Sequence, residues 1–238
     1  MNLNQRWEKR LQDAVRHFWT TRIAQADRQG RRSGQKDAGA RSAVTGGRQL
    51  QGFADLICDY LEESGLDRPS IHCDRLAEIP GWYRSEKRWD LLVVANGHLM
   101  AAMEFKSQVG SFGNNFNNRT EEALGSATDL WAAYREGAFA PSPRPWLGYF
   151  MMVEDAPESK RPVGASQTHF KVFPEFVGAS YTKRYEILLT KLIRDRHYDS
   201  ACLLTSSEAE GLKGLYGEPS EELSFGALLA SLSARVRT

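Results

Sequence analysis

The stretch WDLLVVANGHLMAAMEFKSQ, Trp89 to Gln108, constrains the fold of this chain more than any other. Asn96-Gly97 is its strongest short turn signal, because a tight hairpin turn needs positive φ at both central positions. The runs on either side are apolar and suit strands, so the segment predicts a β-hairpin. On the second strand Leu99, Ala101, Met103 and Phe105 share an apolar face. The other face runs Met100, Ala102, Glu104, Lys106, Gln108, beginning apolar and ending polar. A face merely bathed in solvent would be polar throughout. The polar end is therefore expected to open at the edge of a buried sheet.

Asp90 begins the first strand, and antiparallel pairing brings it toward the end of the second. Asp90, Glu104 and Lys106 are then expected to converge. Two carboxylates a few ångströms apart repel unless a cation neutralises them. Oxygen donors without a nearby histidine favour a hard cation, Mg²⁺ first. A lysine beside them suits phosphate chemistry, where it positions an attacking water and balances transition-state charge. An exposed Glu–Lys pair on an edge strand would give the same bare pattern. Register separates the two cases. A two-residue turn pairs Ala95 with His98 and sets Asp90 opposite Met103, away from Glu104. A three-residue loop, Asn96 to His98, or a one-residue bulge sets Asp90 opposite Glu104. The chemistry requires the longer loop or a bulge.

The rest of the chain reads as alternating helices and strands. Helices are expected over 5–26, 48–64, 120–138, 181–197 and 225–236, with strands near 70–73, in PWLGYFMMVED and in SACLLTSS. The segment 28–48 is rich in glycine and basic residues and has no apolar period, so it is expected to be a long loop. The stretch 155–180 reads as irregular. No repeat or linker divides the 238 residues, and the expected fold is one α/β domain, a mixed β-sheet flanked by helices. Cys58, Cys73 and Cys202 lack C-x-x-C spacing, and the five histidines lack metal-site spacing, so neither a disulfide framework nor a zinc site is indicated. The formal net charge of +1 excludes neither a nucleic-acid grip nor an acidic metal site, because the two cancel in the sum. No apolar run approaches the roughly 20 residues of a membrane span, and the N-terminus is too polar for a signal peptide, so the cytoplasm is expected.

Several segments in order along the chain resemble the XhoI-type restriction endonucleases, a type II family of the PD-(D/E)xK nuclease superfamily. They are DAGARSAVTGG (37–47), WDLLVV (89–94), AAMEFKSQVG with SFGNNFNNRTEEALG (101–125), REGAFA with RPWLG (135–148), and ACLLTSS (201–207). The resemblance implies a single nuclease domain over 1–238 with a PD-(D/E)xK core. It implies a homodimer cutting double-stranded DNA within the palindrome CTCGAG with Mg²⁺, to 5′-phosphate and 3′-hydroxyl ends, beside a cognate DNA methyltransferase. The family's catalytic motif falls on Asp90, Glu104 and Lys106, although Trp89 stands where a proline often precedes the first aspartate. The metal ligands are then Asp90, Glu104 and the backbone carbonyl of Phe105.

Two segments are candidates for holding DNA. Lys36 and Arg41 belong to the basic loop, which carries six basic residues against Asp37 alone. In GNNFNNR, read as a loop leaving the catalytic strand, Asn114, Asn115, Asn117 and Asn118 suit adenine edges and Arg119 suits guanine. A polar loop that caps the next helix would have the same composition. Ser159–Lys171 and the helix start at Tyr181–Arg184 are further basic candidates, and Glu62 and Glu63 are carboxylates on the second helix. A structure-directed or repair nuclease, or a DNA-binding protein without catalysis, is compatible with the same core.

Overall fold

The computed structural model describes residues 3–32, 42–73, 75–167 and 169–236, with the side chains of all but 28–32 and 42–47. The helices are α1 (Gln5–Arg32), α2 (Ser42–Glu63), α3 (Phe112–Arg135), α4 (Pro157–Lys160), α5 (Tyr181–Arg194), α6 (Glu208–Gly211) and α7 (Phe225–Val236). The strands are β1 (Ile71–His72), β2 (Glu78–Pro80), β3 (Glu86–Arg88), β4 (Leu91–Ala95), β5 (His98–Gln108), β6 (Trp146–Glu154) and β7 (Ser200–Ser206). Five strands form one mixed sheet in the order β1-β4-β5-β6-β7, and β2 and β3 pair separately as a small ribbon. β1, β4 and β5 are antiparallel neighbours, whereas β5, β6 and β7 run parallel.

Each face of the sheet carries its own apolar cluster. α1, α2 and α7 cover one face, packing Leu11, Phe18, Phe53, Ile57 and Leu228 against Met103, Phe105 and Phe150. α3 and α5 cover the other, packing Ala123, Leu130, Tyr185 and Leu189 against Leu92, Leu147, Tyr149 and Leu203. This explains the unbroken apolar run of β6, since a strand between two helical layers has no wet face. Phe150 and Met152 point one way, and Tyr149, Met151 and Val153 the other.

The hairpin has the expected Asn96-Gly97 turn, both residues at positive φ (51° and 76°). Ala95 pairs with His98 and Val94 with Leu99, but Val93 pairs with Ala101, leaving Met100 as an unpaired bulge. One extra residue changes the parity of the strand. Leu99 consequently leaves the face of Ala101, Met103 and Phe105 and joins the α3–α5 cluster with Ala102, while Met100 packs with the opposite cluster. The same shift carries the pairing Leu91↔Met103 down to Asp90, whose N–H donates to the Met103 carbonyl at 3.1 Å, so Asp90 stands opposite Glu104.

Three boundaries differ from the sequence reading. α1 extends to Arg32 and α2 begins at Ser42, so the expected loop 28–48 is helical at both ends. Lys36 and Arg41 lie outside the described residues. The segment Gly113–Arg119, expected as a loop, is the first part of α3. Phe112 stacks on Tyr181 and Phe116, one turn on, meets Tyr185 edge-to-face, both on α5, and that packing outweighs the weak helix propensity of asparagine. The thiols of Cys58 and Cys73, from α2 and the end of β1, lie in contact at 2.7 Å, and both remain free cysteines.

Candidate active site

The bulge and the turn bring Asp90, Glu104 and Lys106 together beside β5. The Phe105 N–H donates to Asp90 Oδ2 at 2.7 Å, which draws the aspartate across the edge of β5 where β4 has not yet begun. Lys106 Nζ lies 2.6 Å from Glu104 Oε1, although i and i+2 neighbours on a strand only share a face. Glu104 is buried, with 4% of its surface exposed, whereas Asp90 stays open to solvent. Glu104 Oε2 is buried with no hydrogen-bond partner.

The electrostatics follow from this arrangement. Burial opposes ionisation of Glu104, but the Lys106 and Lys87 ammoniums overcome it and hold the carboxyl below its ordinary range. The Ser126 hydroxyl adds to that pull without meeting hydrogen-bond geometry. Surrounding protein raises the Asp90 carboxyl, and the Glu104 charge adds to the rise; the Phe105 N–H and the two lysines offset it only in part. Solvent at Asp90 moderates the shift. Burial works against the Lys106 charge, yet Glu104 and Asp90 raise its ammonium above the usual range.

These signs give a prediction. A carboxyl raised in the folded state favours folding when protonated and disfavours it when ionised. Asp90 therefore lowers stability as pH rises through its titration. Asp90→Asn, which still accepts the Phe105 N–H, is expected to leave the metal-free protein at least as stable as the unaltered one. The gain should grow from acid to neutral pH in thermal melts, and a loss that grows instead would contradict the assignment.

Among the described residues no group of three or more His, Cys, Asp or Glu side chains could hold a metal. Two carboxylates are nonetheless the usual protein share for Mg²⁺, which fills its remaining positions with water and substrate phosphate oxygens. The partnerless Glu104 Oε2 and the open Asp90, both carboxylate oxygen donors, fit a hard divalent cation.

α3 contributes a polar stripe that the apolar reading of this helix passed over. Arg119, Glu122, Ser126 and Asp129 recur at three- and four-residue steps and so share one face. Glu122 pairs with Arg119 and lies within electrostatic reach of Lys106. Ser126 neighbours Glu104, and Asp129, 1% exposed, anchors the β2–β3 ribbon. Buried serine and aspartate within an apolar helix pattern were the available signal. Leu124, an apolar residue of the same helix, is 37% exposed. Lys87, also absent from the sequence candidates, comes from β3 and lies 3.5 Å from Glu104 Oε1.

The DNA-binding candidates are sorted by the helix. Asn114, Asn117 and Asn118 are exposed on one side of α3, while Asn115 and Arg119 are half-buried. Asn117 donates to Glu121 at 2.8 Å. At the start of α5, Arg184 spends its donors on the carbonyls of Val163, Gly164 and Ala179, and Lys183 pairs with Glu186. Glu62 and Glu63 pair with Arg68 and Arg6 as ordinary surface acids.

A mixed sheet carrying two carboxylates and a lysine on one central hairpin, flanked by helices, defines a restriction-endonuclease-like fold. The family model described as restriction endonuclease XhoI matches residues 29–218. The type II restriction enzyme BstVI of Geobacillus stearothermophilus is 49% identical over 209 residues, covering 85% of this chain and 93% of that enzyme. AbrI of Azospirillum brasilense is 48% identical over 167 residues, covering 69% and 74%, and XhoI of Xanthomonas vasicola is 45% identical over 188, covering 75% and 72%. No solved structure matches the chain. The chain belongs to the XhoI restriction endonuclease family and is a type II restriction endonuclease, a site-specific deoxyribonuclease.

Proposed function

We propose that this enzyme, as a single nuclease domain, makes Mg²⁺-dependent double-strand cuts at the palindrome CTCGAG. The convergence of Asp90, Glu104 and Lys106 through the Met100 bulge is the observation that most supports this chemistry. Asp90 and Glu104 hold the ion, joined by the Phe105 carbonyl. That carbonyl leaves β5 on the same side as the N–H bound to Asp90. A bound Mg²⁺ supplies Lewis acidity toward the phosphate and a more acidic water. Lys106, fixed beside Glu104, orients the attacking water and faces the charge that develops on phosphorus. The water gives its proton to solvent and adds to phosphorus as hydroxide, the bond to the 3′ oxygen breaks, that oxygen takes up a proton from solvent, and the products carry 5′-phosphate and 3′-hydroxyl ends.

A palindrome is most simply read by a two-fold dimer, with each subunit cutting one strand. The homodimer is expected as a doubled mass in solution with target duplex. The exposed asparagines of α3 extend from the end of the catalytic strand, and a helix fits the major groove. Asn114→Ala and Asn118→Ala are expected to weaken target binding more than non-specific binding, by about 1–3 kcal/mol of discrimination for each true base contact. Equal losses on both DNAs would assign these residues to phosphates or to folding. No helix among the described residues is long and apolar enough to cross a membrane, and the enzyme's place beside a methyltransferase of the same specificity is the cytoplasm.

Digestion of a sequenced plasmid with Mg²⁺, followed by mapping of the ends, tests the proposal. Discrete fragments ending within CTCGAG are expected. Diffuse nicking would favour a structure-directed nuclease, and no cleavage would remove the catalytic reading.

A further inference from the structure

Lys87 enters the active site from outside the hairpin that builds it. It sits on β3, opposite Ile79 of β2. This ribbon is clamped to α3 through the buried Asp129, whose Oδ1 accepts from the Trp82 and Tyr83 N–H groups at 2.8 Å each and whose Oδ2 meets Arg84 Nε at 2.8 Å. Gly81 is required at the clamp, since a Cβ there would stand 2.8 Å from Asp129 Oδ2. The Trp89 N–H donates to the Ala77 carbonyl at 2.7 Å and closes the base of the ribbon. Lys87 lies over the buried Trp89 ring, 4.6 Å from its centroid, and its side chain is only 12% exposed. An ammonium this enclosed and aimed is preorganised at a cost in desolvation.

Glu104 alone does not account for it. Oε1 of Glu104 is already held by Lys106 at 2.6 Å, and Lys87 at 3.5 Å is too far for a good hydrogen bond to the same oxygen. Charge balance indicates what the second lysine faces. Asp90 and Glu104 are negative, Lys87 and Lys106 positive, and the four cancel. A divalent ion leaves the site with two net positive charges. That surplus exceeds the single charge of a phosphodiester and matches the two charges of the pentacovalent transition state reached when the attacking water has given its proton to bulk solvent and adds as hydroxide. Without Lys87 the site would balance the ground state instead. Stabilisation that appears only in the transition state is what raises the rate of the chemical step.

We propose that Lys87 is a second catalytic cation, whose ammonium contacts a non-bridging oxygen of the scissile phosphate and stabilises the doubly charged transition state. This rests on the nuclease reading above. The test compares Lys87→Met and Lys87→Arg with the unaltered enzyme. In Lys87→Met, single-turnover cleavage of a target duplex should fall at least about 100-fold. Affinity for that duplex in Ca²⁺ should stay within about threefold, because the contact gains most of its strength only as the transition-state charge develops. Mn²⁺ binding to the DNA-free protein, measured by calorimetry, should tighten, because a cation beside Glu104 has been removed. Lys87→Arg should recover part of the rate. Cleavage by Lys87→Met within about threefold of the unaltered enzyme overturns the proposal. So does Mn²⁺ binding that weakens along with cleavage, which would mark Lys87 as scaffold. An unaltered enzyme that makes no Mg²⁺-dependent cuts overturns the nuclease reading as well.

Discussion

Alanine at Asp90, Glu104 or Lys106 is expected to lower single-turnover cleavage at least about a thousandfold, because each removes a group that the proposed mechanism sets at the metal or the reacting phosphate. The three should differ sharply in stability. Asp90 is solvent-open and its ionised form is disfavoured in the fold, so Asp90→Ala loses chiefly the bond from the Phe105 N–H. Glu104→Ala is the severe case. It leaves Lys87 and Lys106 facing a cavity with Asp90 as the nearest remaining carboxylate, and breaking such a buried pair costs about 3–5 kcal/mol, toward the low end here because Asp90 remains and Lys106 keeps 23% of its side-chain surface. Lys106→Ala leaves Glu104 with Lys87 at 3.5 Å and should fall between. Thermal melts beside cleavage assays read both effects, and Glu104→Gln keeps the shape if alanine fails to fold. Normal cutting by Asp90→Ala would dismantle the assigned site.

Metal binding should have the second-largest effect. In the metal-free protein a buried carboxylate oxygen of Glu104 has no partner and a second carboxylate stands opposite. A divalent ion relieves both, so Mg²⁺ or Ca²⁺ should raise thermal stability, by about 2.7 kcal/mol at a concentration 100 times the dissociation constant. Ca²⁺ should tighten target binding without supporting cleavage, because its looser coordination activates water poorly. Target affinity that is the same in EDTA and in Ca²⁺ would contradict this. The gain should shrink as pH falls, and earlier than for an ordinary aspartate, because the Asp90 carboxyl is raised and a proton there competes with the metal.

Much of this was legible along the chain because it is local. Alternation on β5, the Asn96-Gly97 turn and the unbroken apolar run of β6 are written in neighbouring residues. The requirement that Asp90 face Glu104 exposed a parity conflict with a two-residue turn, which called for a longer loop or a bulge, and the bulge at Met100 resolves it. The asparagine-rich start of α3 was misread because propensity weighs single residues. The contacts that hold it, Phe112 and Phe116 against Tyr181 and Tyr185, lie more than sixty residues apart in sequence.

The sequence by itself determined the β4–β5 hairpin, the central buried strand and the acid–acid–lysine set on it, since each depends on spacing within one short segment. Only the tertiary structure decided what surrounds them. The ribbon that delivers Lys87 has three residues in each strand and no apolar alternation to announce it. Its position depends on Asp129, about fifty residues away and buried on α3. The stripe from Arg119 to Asp129 becomes part of the site only when α3 folds back over β5. Charges act through space, and distance in space between such segments is set by packing, which periodicity along the chain does not encode.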